Sequence, residues 1–223
     1  MLKGYMACAV AAVCLAAAGC SLRKDYTVVE GVMLGTSLRV VADVGGVGKQ
    51  ELYAAVMELD REAKASMSIF DEGSLLSRLN RNETDSVDRH IAYCLRLADS
   101  IGALSSGRYD VTVKPLVEAW GFAGKEPARE PNLDSLLEFV GREKVAVRDG
   151  RLFKSDPRVQ LDFNSVAKGY TVDLLAGLVE RFGAQNYLVD IGGEVRCKGS
   201  NRQGRPWRIG VETPFDGNMT EGE

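Results

Sequence analysis

The stretch 161–173, Leu-Asp-Phe-Asn-Ser-Val-Ala-Lys-Gly-Tyr-Thr-Val-Asp, restricts what this chain can fold into more than any other. A short extended run passes through a polar loop directly into an amphipathic helix. Val166, Tyr170, Leu174 and Leu178 recur every four residues, with Leu175, Val179 and Phe182 beside them. One apolar stripe therefore faces a core, and the polar first turn faces outward. Ser165 and Lys168 are expected on that first turn. The free amides and positive dipole end of a helix start attract anions, Lys168 adds a full charge, and Gly169 lets a bulky group approach the backbone. Phosphates bind at such places, although the same residues also suit a capped helix with a solvated lysine.

Several chemistries are excluded early. His90 is the only histidine, so a Ser-His-Asp unit or a multi-histidine metal site has no other candidate. It stands in Asp88-Arg89-His90, the polar opening of a helix, where a solvated role is expected. The chain has no Cys-x-x-Cys, no Walker lysine loop and no G-x-G-x-x-G fingerprint. A net charge of −3 with mixed signs and no basic run leaves no electrostatic footprint for nucleic acid. Nucleotide chemistry here would rest on carboxylates, hydroxyls, backbone groups and a hard metal ion.

Lys3, an Ala-rich apolar run over 7–18 and the close Ala17-Ala18-Gly19-Cys20 make residues 1–19 a removed signal segment rather than a transmembrane helix. The Ala-Gly-Cys ending resembles a bacterial lipobox, which implies that Cys20 becomes the lipidated first residue at the periplasmic face of a membrane. Ser21, in place of Asp, favours the outer membrane by the same resemblance. Cys94 and Cys197 leave a disulfide open, but Cys94 falls on the apolar rhythm of its helix and reads better as a small buried thiol.

Beyond that segment the chain reads as one α+β domain, with a mixed or antiparallel sheet and flanking helices. A strand is expected over 32–44 and a helix over 49–66 with Leu52, Val56, Leu59 and Ala63 on one face. An irregular polar-rich ligand loop follows over 67–81, then a helix over 88–104 with Gly107 past its end. A short helix opens at Asn132 and closes at Gly141. Asp149-Gly150 suits a type I′ turn in a hairpin over 145–154. Further strands are expected over 186–198, around Gly192-Gly193, and over 207–212.

Four motifs in one order carry a family resemblance: Ser68-Ile-Phe-Asp-Glu-Gly-Ser-Leu-Leu-Ser-Arg-Leu-Asn80, Arg108-Tyr-Asp-Val-Thr-Val-Lys-Pro-Leu-Val-Glu-Ala-Trp-Gly-Phe122, the 161–173 stretch, and Ile191-Gly-Gly-Glu194. Together they resemble the ApbE-like family of FAD:protein FMN transferases. The family patterns are S-x-Y-x-x-x-S-x-(I/L)-S-x-x-N, G-x-(F/Y)-D-x-T-V-x-P-L-x-x-x-W-G-F, D-x-x-(A/S/T)-x-x-K-G-(Y/F) and (I/V)-G-G-E. The match covers residues 31–214, which implies a lipid-anchored linker over 20–30, a flavin transferase domain over 31–214 and a polar tail over 215–223.

The resemblance implies that Phe70 stands where the family's aromatic stacks on the flavin, with a core-filling role as the alternative. Arg108, Tyr109 and Asp110 match a segment that contacts FAD, although Asp110 also suits an Asx-type turn. Asp162 and Lys168 match FAD contacts, and Ser165 matches a position that ligates the metal, Mg²⁺. Leu34, in Leu34-Gly35-Thr36, stands where the family's Met touches the cofactor. Trp120-Gly121-Phe122 reads mainly as core, and no catalytic residue is assigned.

The implied function is cleavage of the FAD pyrophosphate with Mg²⁺ and attachment of the FMN half to a Ser or Thr hydroxyl of a target protein, releasing AMP. FAD hydrolysis to FMN and AMP, and non-catalytic flavin binding by a lipoprotein, are the alternatives. The family continues through T-S-G and H-x-x-D-P segments that carry further metal ligands, whereas this sequence stops at Glu223. It is therefore expected to be a C-terminal truncation, as a fragment or a shortened gene product, or else a protein that has lost catalysis. Little transferase turnover is expected of these 223 residues alone.

Overall fold

The computed structural model describes residues 25–122 and 130–211; the expected signal segment with Cys20 and the tail over 215–223 lie outside them. The first departure from the sequence reading is a turn. β1 (Thr27–Met33) and β2 (Thr36–Ala42) form an antiparallel hairpin where one strand over 32–44 is expected. Leu34 and Gly35 take φ of 50° and 77°, the pair of positive values that a type I′ turn requires. A leucine resists that conformation. It is held there by its amide, which donates to Oδ1 of Asp60 at 2.9 Å.

The helices follow local signals more closely. α1 (Lys49–Met67) is the expected first helix. α2 (Leu75–Asn80) lies inside the segment expected to be irregular, capped by Ser74, whose hydroxyl accepts from the Ser77 amide at 3.0 Å. α3 (Arg89–Leu104) opens on Asp88, which accepts from the amides of His90 and Ile91 at 3.0 and 2.9 Å. α4 (Lys114–Ala119) buries none of its residues. Trp120 and Phe122 beyond it are 57% and 67% exposed, which corrects the core reading of Trp120-Gly121-Phe122. α5 (Leu133–Leu137) is capped by Asn132 through the Ser135 amide at 3.1 Å. β3 (Val145–Arg148) and β4 (Arg151–Lys154) close on Asp149-Gly150 with φ of 49° and 72°. A 3-10 turn over Arg142–Lys144 precedes β3, and α6 (Asn164–Arg181), β5 (Tyr187–Ile191) and β6 (Glu194–Lys198) complete the described elements.

The main sheet has the order β1-β2-β5-β6, antiparallel throughout, and β3-β4 is a separate two-stranded sheet. The fold is α+β, as expected. No strand forms over the described part of 207–212; one bridge joins Ser200 to Pro206, and Glu212 lies outside the described residues. Gly192 is the glycine the main sheet depends on. At φ 58° a Cβ there would meet Thr36 Cγ2 at 2.5 Å, because the β5-β6 turn closes directly over the start of β2.

Two apolar clusters make the core. One joins Val29, Met33, Leu38, Val40, Tyr187, Val189 and Ile191 of the sheet to Leu52, Val56 and Leu59 of α1 and to Leu175 and Val179 of α6. The other gathers Met67, Leu76, Leu79, Ile91, Cys94, Phe163, Val166 and Tyr170. α1 and α6 run through both, so α6 is buried on more than one side and not along a single stripe. Cys94 is buried and Cys197 exposed, both as free thiols. Burial pushes the Cys94 thiol up to about 12, so it is an inert core group.

His90 contradicts its expected solvated role. It is 2% exposed, with Nδ1 at 3.0 Å from the Tyr170 hydroxyl and Nε2 at 3.1 Å from Glu62. Tyr170 stacks on Tyr93 at 4.2 Å. Hydrogen bonding from His90, followed by the charge of Arg89, holds the Glu62 carboxyl below the usual range. Arg89 Nε also donates to Nε2 at 3.3 Å, but Tyr170 and Glu62 are distant in sequence, so the helix opening alone could not reveal the burial.

Candidate functional site

Where the two core clusters meet, packing leaves a cleft of about 720 Å³. Leu34 packs against both clusters and forms part of its wall. The β1-β2 turn contributes Leu34, Gly35 and Thr36; the end of α1 contributes Ala63, Lys64 and Met67; the following loop contributes Ser68, Phe70 and Asp71; and α6 contributes Asn164, Ala167 and Lys168. Such a cavity is large enough for a substantial ligand and mostly apolar, with a few convergent polar groups.

The loop after α1 is ordered by its own polar side chains. Ser68 Oγ accepts from the amides of Phe70 and Asp71 at 3.1 and 3.2 Å, while the Ser74 hydroxyl donates to the Ser68 carbonyl at 2.5 Å. This closure turns the Phe70 ring outward, 69% exposed, which excludes the core-filling alternative and leaves a flat apolar face at the cleft.

Asn80 secures the opposite approach. Its amide group donates to the Leu161 carbonyl at 2.9 Å, and its oxygen accepts from the Leu161 amide at 2.7 Å. Asp162, the next residue, is thereby placed under α6. Its Oδ1 accepts from the Asn164 amide at 2.7 Å, and burial raises its carboxyl above the ordinary value.

The start of α6 differs from the sequence reading. The Val166 and Ala167 amides both turn to the Phe163 carbonyl, at 2.9 and 2.7 Å, and Asp162 has taken the Asn164 amide. These first-turn donors point inward, toward a carboxylate and a carbonyl. Lys168 is the fifth helical residue, not a first-turn one, and its Nζ donates to Oε2 of Glu194 at 2.9 Å. Of the first-turn amides only that of Ser165 is left, so anion attraction at this helix rests mainly on the lysine.

Of the residues the sequence singled out, Leu34, Phe70 and Lys168 line the cleft together. Asp162 stands behind the lining residue Asn164, and Ser165 and Tyr109 do not line the cleft. The Tyr109 hydroxyl shares a 2.8 Å hydrogen bond with that of Ser165, burial raises the Tyr109 phenol, and Asp162 holds Asn164. Asp110 Oδ1 is engaged by the amide and hydroxyl of Thr112 at 2.8 and 2.7 Å, an Asx-type turn. Arg108 is exposed and does not line the cleft. Sequence reasoning missed Asp60, Lys64 and Asn164. The available signal was Asp60 itself, an acidic residue on the apolar rhythm of α1 between Val56 and Ala63.

Among the described residues no group of three or more His, Cys, Asp or Glu converges to hold a metal. The donors near α6 are the Ser165 hydroxyl, shared with Tyr109, and Oδ2 of Asp162, which accepts a 3.4 Å hydrogen bond from the Asn164 side chain. That set does not make an all-protein site for Mg²⁺, which usually keeps several waters and binds through one or two carboxylates plus substrate phosphates.

Comparison with known proteins settles the family. The model of the ApbE family matches residues 34–222. The chain belongs to the ApbE family. Among relatives, a FAD:protein FMN transferase of Haemophilus influenzae is 33% identical, over 96% of this chain and 65% of its own length. That of Salmonella typhimurium is 34% identical, over 92% and 65%. The flavin transferase ApbE structure from Vibrio cholerae superposes with a TM-score of 0.79 at 32% identity, covering 85% of this chain and 64% of that one. The apo flavinyl transferase ApbE of Pseudomonas stutzeri has a TM-score of 0.79 at 27% identity. The chain thus spans about 65% of the length of the ApbE relatives it matches.

One prediction concerns this site alone. An aspartate whose folded pKa is raised costs stability above its unfolded value, because the unfolded chain ionises more readily, and that cost is absent below it. Asp162→Asn keeps an acceptor for the Asn164 amide and removes the buried charge. It is expected to raise the melting temperature at pH 7, with the difference shrinking as pH falls toward 3.8. An equal difference at pH 7 and pH 4 would show that ionisation of Asp162 is not the cause.

Proposed function

We propose that this chain carries the FAD-binding part of an FAD:protein FMN transferase that uses Mg²⁺. The observation that supports it best is the convergence of Leu34, Phe70 and Lys168, from three separate motifs, on one cleft. In this reading Phe70 stacks on the flavin ring, Leu34 makes an apolar contact, and Lys168 meets the pyrophosphate. Beyond the cleft the nucleotide would meet the Arg108–Asp110 segment, of which Tyr109 stands against Ser165, and Asp162 orders the backbone at the start of α6.

The reaction exchanges the phosphoanhydride bond of the FAD pyrophosphate for a phosphoester bond to the target. The oxygen of a Ser or Thr hydroxyl on the target attacks the FMN-side phosphorus of FAD. The P–O bond to the AMP half breaks, its electron pair leaves with AMP, and the hydroxyl proton is released. Negative charge accumulates on the phosphate oxygens in such a transfer, so a fixed cation beside them lowers the barrier. Lys168, oriented by Glu194, supplies that charge from this chain. When bound, Mg²⁺ supplies further charge neutralisation, and Ser165 is the residue here that would offer it an oxygen.

Protein purified from its own cells, incubated with FAD, Mg²⁺ and a Ser/Thr-bearing target, is expected to add the mass of FMN to the target. AMP release without that adduct would replace transfer by hydrolysis. Neither product would reduce the reading to flavin binding.

Membrane attachment through Cys20 and a place at the periplasmic face of the outer membrane are part of the same proposal, resting on the lipobox-like ending of the signal segment. Among the described residues no helix is long and apolar enough to cross a membrane. Cys20→Ser is expected to move the protein into the soluble periplasmic fraction; membrane fractionation without an acyl mass on the wild type would remove the proposal.

A further inference from the structure

The cleft contains a second ammonium that no motif marks. Lys64 reaches it from α1, whereas Lys168 comes from α6. Its Nζ donates to Oδ2 of Asp60 at 2.6 Å, and the other oxygen of the same carboxylate accepts from the Leu34 amide at 2.9 Å. Asp60 is 8% exposed, and a carboxylate so enclosed is tolerated only when its oxygens are satisfied. Its two bonds tie a cleft cation to the turn that places Leu34.

Three features make Lys64 more than a surface ion pair. First, its rotamer freedom is already restricted by a buried partner, so little further ordering is needed when a ligand arrives. Second, Asp60 is its one hydrogen-bond and ion-pair partner among the described residues, and an ammonium has three donors. Third, the start of α6 has turned its Asn164 and Val166 amides toward Asp162 and Phe163, and Ser165 does not line the cleft, so phosphate charge there falls mainly to side chains. Asp71 adds a carboxylate to the lining, with Oδ1 held by the Gly73 amide at 2.9 Å. It disfavours phosphates near the Phe70 loop and leaves the two lysines as their place.

We propose that Lys64 is a phosphate-binding residue of this cleft, acting with Lys168 on the pyrophosphate of a flavin dinucleotide, and that Asp60 is the positioning residue that presents it. The proposal rests on the flavin-nucleotide reading above.

Titration of FAD and riboflavin by flavin fluorescence tests it, since riboflavin carries the ring system without a phosphate. Lys64→Met is expected to weaken FAD binding by about tenfold or more and riboflavin binding by less than about twofold, as loss of a charge-assisted contact requires. Lys64→Arg should restore most of the FAD affinity. Asp60→Asn keeps an acceptor for the Leu34 amide but loses the charge that orients Lys64. It should weaken FAD alone, and it should add nothing in the Lys64→Met background. Equal loss for both ligands, unchanged FAD affinity in Lys64→Met, or additive losses in the double variant would overturn the assignment while leaving FAD binding itself intact. A wild-type protein that binds neither flavin would overturn the functional reading, and this inference with it.

Discussion

Asn80→Ala is expected to destabilise the protein by about 2 to 5 kcal/mol, because it leaves two buried backbone groups without partners at once. The Asn80 side chain is 4% exposed and holds both the amide and the carbonyl of Leu161, itself fully buried. Bulk solvent does not reach the Leu161 backbone in the folded state, and truncation opens a small void beside Leu79 and Leu161 of the second core cluster. Denaturant unfolding provides the measurement. Asn80→Asp keeps the acceptor for the Leu161 amide but loses the donor to its carbonyl and buries a charge, so it should also unfold early. A midpoint for Asn80→Ala indistinguishable from the wild type would mean that the clamp does not bear on stability. Because the clamp also sets the position of Asp162 and the start of α6, residual folded Asn80→Ala protein should bind FAD more weakly than the wild type.

The second large effect is on binding without a matching loss of stability. Lys168→Ala is expected to weaken FAD binding by about 1 to 3 kcal/mol, the range for a charge-assisted contact to phosphate. The Lys168–Glu194 pair is itself 37% and 40% exposed, and ion pairs of that kind contribute little to folding. The melting temperature should therefore stay near the wild-type value while the FAD dissociation constant rises. Riboflavin affinity should stay nearly constant. Unchanged FAD affinity would remove Lys168 from the cofactor site, and a parallel fall in melting temperature would recast it as a structural residue.

Much of the architecture was legible along the chain because its causes are local. Asp88 and Asn132 cap the helices they precede, and Asp149-Gly150 closes its hairpin with the backbone angles that pair favours. The apolar repeats of α1 and α3 place those helices within a residue or two of their observed ends, and that of α6 places a helix after the polar loop. Ser68, Asn80, Asp162 and Lys168 were visible as motif positions, although Asn80 gave no hint of what it binds.

What only the tertiary structure decided depends on groups far apart in sequence. Leu34 turns into a conformation leucine resists because Asp60, 26 positions on, accepts its amide; propensity alone continues the strand. His90 is buried because Tyr170, 80 positions away, and Glu62 satisfy its ring. The α6 start gave its Asn164 and Val166 amides to Asp162 and Phe163, a matter of how one loop bends. Lys64 is drawn into the site by a carboxylate that solvent barely reaches. The sequence by itself determined α1, α3, α6 and the β3-β4 hairpin and which motif residues stand near the α6 start, whereas α2 and the β1-β2 hairpin came only with the tertiary structure. The cleft, and the pairing of its two lysines, arose only when two core clusters packed against the same two long helices and left the space between them open.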